Sequence, residues 1–238
     1  MLEDELSEEE ALMTNIINAV GYVLKAQREA FIPLFDQLIA PFYGPLLRAE
    51  QPALRHIAMC TFVDVIEYCG PAAHKHLAQF APLMLEPSNL GNDEPELRQV
   101  CVYGINQVAK HAPQYFGQQC QQALQQCVQI VTAPEAADEE NVFVTENAVS
   151  ALGTIAVGHA APADQPQLLA LWLSKLPLRE DEEEARVVHC QLADWLEQGN
   201  PHLLANRPRV LEIVTQLREK KSAELTSSST LARLGRFA

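Results

Sequence analysis

The chain is 238 residues long, 48% hydrophobic and strongly acidic, with a formal net charge of −14. That composition supports a large packed core, and the charge speaks against direct binding to phosphate backbones while favouring basic partners. No apolar run approaches the length of a bilayer span, and the acidic leader MLEDELSEEE is neither a secretory nor a mitochondrial signal.

Long runs rich in Ala, Leu and Gln, with only 10 glycines in all, predict helix throughout. The first helix is predicted over residues 8–25, with Ser7 and Glu10 spaced as a capping box. It carries two apolar stripes, one of Leu12, Ile16, Ala19 and Val23 and one of Met13, Ile17, Val20 and Leu24. A lone surface helix needs one stripe, so two imply packing against a hairpin partner and against a neighbouring repeat. Further helices are predicted over 29–47, 51–69, 72–86, 93–111, 114–132, 141–158, 163–176, 181–198 and 201–221. The segments Ser88–Asp93 and Pro134–Asp138 read as loops, and residues 222–238 as a flexible tail.

Two of these helices resemble each other. LRHIAMCTFVDVIEYCGP begins at Leu54 and LRQVCVYGINQVAKHAP at Leu97, and Ala185-Arg186 stands in the same place further on. Pro52 and Pro95 precede the Leu-Arg pairs, where a first-turn N–H has no helical partner to lose. Pro71, Pro113, Pro162 and Pro201 close successive patterns, and Gly70, Gly158 and Gly199 fall at expected helix C-termini. A period of about 40 to 47 residues with two helices each is the signature of HEAT or armadillo arrays. The expected fold is therefore an all-α, right-handed α-solenoid of about five HEAT-type helix pairs over residues 1–221. The first helix has a broad apolar surface and no helix before it, so the chain is expected to be part of a longer array.

Catalysis finds little support. There is no phosphate-binding glycine loop and no nucleophile elbow, the carboxylates come in exposed runs, and the histidines are scattered. The 6 cysteines include no CxxC pair and read as reduced core residues, and His74 with His76 does not supply a zinc site. No catalytic, cofactor or metal residue is expected.

Several stretches resemble the importin-β superfamily of nuclear transport receptors, in its importin-five type, also called karyopherin beta-three. They are ENVFVTENAVSALGTI (140–155), LWLSKLPLREDEEEA (171–185), Phe62 to Cys69, Leu97-Arg98-Gln99 and Tyr103-Gly104. The resemblance runs from about residue 8 to about residue 221 and implies the last HEAT repeats of such a receptor. It implies a carrier that binds basic cargo such as ribosomal proteins and histones, touches Phe-Gly nucleoporins and shuttles between cytoplasm and nucleus. The family's Ran contacts lie mostly in N-terminal repeats that this chain does not contain. A HEAT scaffold or assembly subunit with another role is the alternative, and the residues around Trp172 and over 141–155 argue against it.

The candidate contact residues are acidic. The run Glu180, Asp181, Glu182, Glu183 and Glu184 reads either as a patch for lysine-rich cargo or as a solvated helix start that favours the positive end of the dipole. Asp64, Glu67 and Glu146 lie on helices that the resemblance places on the concave side. Trp172 and Trp195 read as core residues before they read as peptide anchors. Arg207, Arg209, Arg218, Lys220, Lys221, Arg233 and Arg236 make the C-terminal segment basic, a solvated tail able to fold back on acidic surface.

Overall fold

The protein is described by a computed structural model covering residues 2–91, 94–117, 119–219 and 224–237, with residues 2–10 and Ser88 described in backbone only. The Ser7–Glu10 capping box, the end of the Ser88–Asp93 loop, Lys220, Lys221 and the start of the expected tail lie outside what is described. Every regular element among the described residues is helical. The chain divides into two compact units, Met1–Ala123 and Leu124–Ala238.

In the first unit the helices are α1 (Leu2–Gln27), α2 (Ile32–Leu34), α3 (Ala40–Leu46), α4 (Pro52–Cys69), α5 (Leu77–Phe80), α6 (Pro95–His111) and α7 (Pro113–Phe116). Helix α8 (Cys120–Thr132) begins at its end. The long helices α1, α4 and α6 pack side by side in that order. Pro52 and Pro95 open α4 and α6 as their sequence positions predict. Gly104 lets α6 come close to α4 and to the Ala81–Leu85 segment, because a Cβ there would overlap Met84 Sδ and meet Val63 at 2.8 Å. The buried rings of Phe35, Phe62 and Phe80 form the centre of the unit, Phe62 lying 5.7 Å from Phe35 and 5.5 Å from Phe80.

The partner segments of these helices are irregular. The predicted helix 29–47 is a 3₁₀ turn (Arg28–Phe31), α2, a π-helical turn (Phe35–Ile39) and α3. Pro33, Pro41 and Pro45 each remove an N–H donor, so the i→i−4 ladder breaks and is rephased. Arg28 enters this segment at φ 53°, a left-handed conformation that marks the sharp turn out of α1. The predicted helix 72–86 likewise alternates 3₁₀ and α turns around Pro71 and Pro82. Gly70 (φ 57°) and Gly199 (φ 78°) end their helices in conformations that L side chains rarely adopt.

The second unit contains α9 (Val142–Gly158), α10 (Gln165–Ser174), α11 (Glu182–Glu197), α12 (Pro201–Ala205), α13 (Arg207–Leu217) and α14 (Ser228–Leu234). Helix α9 packs on α10 and on α11, α10 reaches α12 and α13, and α14 lies on α11. Trp172 is fully buried and its ring lies 5.2 Å from that of Trp195, so the tryptophans fill space between helices as their apolar surroundings predict.

Residues 222–238 were expected as a flexible tail. The described part, 224–237, is folded instead: Ser227 accepts the N–H of Thr230 at 3.0 Å and caps α14, and Leu234 is fully buried. Arg233 ties this helix to α11 through Asp194 (2.5 Å) and Glu197 (2.6 Å). Arg233 of the basic C-terminal segment thus folds back on acidic surface, as the charges of that segment allow, while Arg207 stays exposed.

Candidate protein-binding surface

Contacts recur between residues about one repeat apart, and they show how each repeat fixes the next. In the first unit Arg55 of α4 donates to Asn89 at 2.9 Å, and Asn89 donates to the carbonyl of Leu83 at 2.9 Å. That anchors the segment leading into α6. In the second unit Glu146 and Asn147 of α9 hold the segment leading into α11. Arg186 and His189 of α11 hold the segment leading into α14 through the carbonyls of Glu224 (2.6 Å) and Leu225 (2.9 Å).

The Glu146 contact decides what the acidic run can do. Its side chain lies at 7% exposure. Its oxygens accept the backbone N–H groups of Arg179 (2.6 Å), Glu180 (3.2 Å) and Asp181 (2.7 Å). Burial pushes the Glu146 carboxyl above its ordinary range, against the pull of these three N–H groups. Asp181 in turn caps α11 by accepting the N–H of Glu184 at 3.0 Å, and Asn147 donates to Asp181 at 3.2 Å. Glu146 and Asp181, both expected as contact residues, thus serve the chain's own architecture.

What this anchoring displays is the rest of the run. Glu180, Glu182 and Glu183 are exposed. Glu182 pairs with Arg186 at 3.1 Å, while Glu180 and Glu183 have no ion pair among the described residues. Glu184 is buried. Because Glu146 lies in the second turn of α9 and holds the residues just before α11, the N-terminal ends of these helices lie side by side. The loop before α9 adds exposed Asp138, Glu139 and Glu140, also without an ion pair among the described residues. In sequence Pro134–Asp138 reads as a plain loop, and nothing local marks these carboxylates, because the approach of the α9 and α11 ends depends on repeat packing.

Asp64 and Glu67 belong to the first unit. Both are half-buried on α4. Tyr103 of α6 donates to Glu67 at 2.7 Å. Asp64 lies against Gly21 of α1, where an added Cβ would be 2.6 Å from its Oδ2. Burial, helped by the charge of Glu67 and opposed by that of Lys25, pushes the Asp64 carboxyl up to about 7. A folded-state value above the ordinary 3.8 means stability is greatest below that value and is lost as pH rises through 7. Asp64→Asn is therefore expected to stabilise the chain by about 2 kcal/mol at pH 8 and to leave it unchanged near pH 3. Urea titrations at the two pH values measure it.

His189 behaves in the opposite sense. It is fully buried, with Nδ1 donating to the carbonyl of Leu225 at 2.9 Å and Nε2 accepting the N–H of Leu178 at 3.3 Å. Only the neutral ring satisfies both bonds, and burial lowers its pKa from 6.5 to about 4. Its contribution is complete above pH 6.5 and is lost as pH falls through 4, worth about 3 kcal/mol. Melting curves from pH 7 to pH 4 are expected to shift down steeply in the native chain and less so in His189→Gln.

Among the described residues no group of three His, Cys, Asp or Glu side chains is placed to hold a metal ion, and no helix is long and apolar enough to cross a membrane. The arrangement offers charged surface on packed helices.

Comparison with known proteins agrees with that class. No protein-family model matches the chain. The structure resembles the karyopherin Kap121p bound to the SUMO protease Ulp1p, with TM-score 0.79 and 25% identity over 96% of this chain and 21% of that one. A further structure of Kap121p matches with TM-score 0.70 and 24% identity over 96% of this chain and 22% of the other. The fold is thus an α-solenoid of HEAT repeats.

In sequence the chain is 28% identical over 225 residues to importin subunit beta-3 of Saccharomyces cerevisiae, covering 92% of this chain and 20% of that protein. It is 24% identical over 232 residues to a probable importin-5 homolog of Dictyostelium discoideum, covering 92% and 21%. It is 25% identical over 188 residues to importin-4 of Mus musculus, covering 79% and 16%. The chain spans about a fifth of the length of the first two. The resemblance read from its motifs holds: the curated relatives and solved structures that the chain matches are importins of the beta-3, importin-5 and importin-4 kinds and the karyopherin Kap121p.

Proposed function

We propose that this chain serves as a stretch of HEAT repeats in a nuclear import receptor and binds basic protein segments through its acidic surface. The observation that carries this reading is the exposed set Glu180, Glu183, Asp138, Glu139 and Glu140 at the adjoining ends of α9 and α11, on a frame fixed by Glu146. Charged surface of one sign steers and holds partners of the other. Glu182 belongs to the same surface but shares its charge with Arg186. Asp64 and Glu67 supply further acidic character in the first unit, with Asp64 fully charged only above about pH 7.

The cargo class is basic proteins such as ribosomal proteins and histones, and passage through the pore involves Phe-Gly nucleoporins. Ran engagement belongs mainly to repeats outside this chain. The protein works by binding alone, in transit between cytoplasm and nucleus. Its role within a longer array is supported by apolar side chains left uncovered on the first hairpin. Leu12 is 59% exposed on α1 and Leu38 is 63% exposed in the segment that follows it, apolar area of the kind that a further repeat covers.

The test is capture on the immobilised chain of a lysine-rich histone-tail peptide and, separately, of a Phe-Gly nucleoporin fragment. The reading expects both to bind and the histone peptide to be released as salt rises from about 50 mM to about 500 mM. Failure to retain either one at low salt overturns it in favour of a HEAT scaffold with other partners.

A further inference from the structure

The second unit contains a cleft of about 260 Å³ whose chemistry differs from the acidic surface. Its floor is Leu196, Leu203 and Val210, all buried, and its walls include Leu204 and Phe237. Two cations flank it, Arg207 and Arg236. Arg207 is exposed and has no hydrogen-bond or ion-pair partner among the described residues. Arg236 has a side chain 71% exposed and reaches Glu197 only at 3.7 Å. One turn along α13 from Arg207, Leu211 is 46% exposed and extends the apolar surface beyond the cleft.

Each feature narrows the occupant. The volume is below the range of about 300–1,000 Å³ that holds a drug-sized ligand, and suits a single large side chain. The floor and walls are apolar, so that side chain is aromatic or aliphatic. The flanking guanidinium groups offer forked donors that match carboxylates. A basic cargo segment is repelled here, although it is attracted to Glu180 and Glu183.

We propose that this cleft docks an acidic peptide segment of a partner protein, with one large apolar side chain inserted and adjacent carboxylates bound by Arg207 and Arg236. The site is separate in charge and chemistry from the acidic surface, so the chain holds two partners of opposite sign at different places. A second segment can dock without competing with basic cargo.

The experiment uses a fluorescein-labelled dodecapeptide in which one Phe is flanked by Asp and Glu, titrated against the chain by anisotropy. Three control peptides replace Phe by Ser, all acids by their amides, or all acids by Lys. The expected result is micromolar binding of the acidic Phe peptide and a loss of about tenfold or more for the Ser and amide peptides. Arg207→Glu, at an exposed position without partners, is expected to give the same loss with an unchanged melting temperature. Added histone-tail peptide is expected not to displace the probe. No binding at millimolar concentration, or binding that Arg207→Glu leaves intact, overturns the proposal. So does equal binding of the Ser peptide. None of these outcomes bears on whether basic cargo binds elsewhere.

Discussion

Glu146→Ala is expected to destabilise the protein by about 4 kcal/mol and to lower its melting temperature by roughly 10 °C. The substitution leaves the backbone N–H groups of Arg179, Glu180 and Asp181 without the carboxylate that accepts all three. A buried donor without a partner costs about 1–3 kcal/mol. Exposure of Arg179 and Glu180 lets water satisfy part of that loss, so the sum is not the simple total. Glu146→Gln keeps one accepting oxygen but turns an amide donor toward backbone donors, and about half the loss is expected. Differential scanning calorimetry of both variants measures this. An unchanged melting temperature in Glu146→Ala contradicts the anchoring role.

Trp172→Ala is expected to cost about 4 kcal/mol, because the indole is fully buried between α9, α10 and α11. Gly153 is part of the same fit: a Cβ there would lie 2.5 Å from Trp172 Nε1. The indole N–H has no hydrogen-bond partner among the described residues. Trp172→Phe therefore removes an unpaired donor along with some volume and is expected to cost only about 1–2 kcal/mol. Urea denaturation of the two variants distinguishes them. If Phe costs as much as Ala, the ring's packing is not the source of its contribution.

The helices that form the layers α1–α4–α6 and α9–α11 were legible because their signals are local. Pro52 and Pro95 sit at first turns, apolar spacing follows 3.6 residues, and Gly70 and Gly199 mark the ends. The partner segments 28–46 and 70–85 were legible only as helical. Their π and 3₁₀ turns depend on how several prolines rephase one hydrogen-bond ladder. Helix α14 reads as a tail in sequence because Ser227, Ser228 and Ser229 look like low-complexity sequence. Its stability comes from Asp194 and Glu197, nearly a repeat earlier in the chain.

The candidate site divides along the same line. A run of carboxylates from Glu180 to Glu184 is conspicuous in sequence, but its members have unlike tasks. Asp181 caps a helix, Glu184 is buried, and Glu180, Glu182 and Glu183 face outward. Glu146 shows nothing in sequence that sets it apart from an exposed acid. Its partners are backbone groups 33 to 35 residues away, and only folding brings them within reach.

Separating those tasks tests the account most directly. Glu180→Lys with Glu183→Lys, and Glu146→Ala alone, are each measured for melting temperature and for binding of a lysine-rich histone-tail peptide by titration calorimetry. The double variant is predicted to lose at least about tenfold in affinity while melting as the native chain does. The Glu146 variant is predicted to melt well below the native chain. Native affinity in the double variant contradicts the claim that these outward carboxylates hold the basic partner.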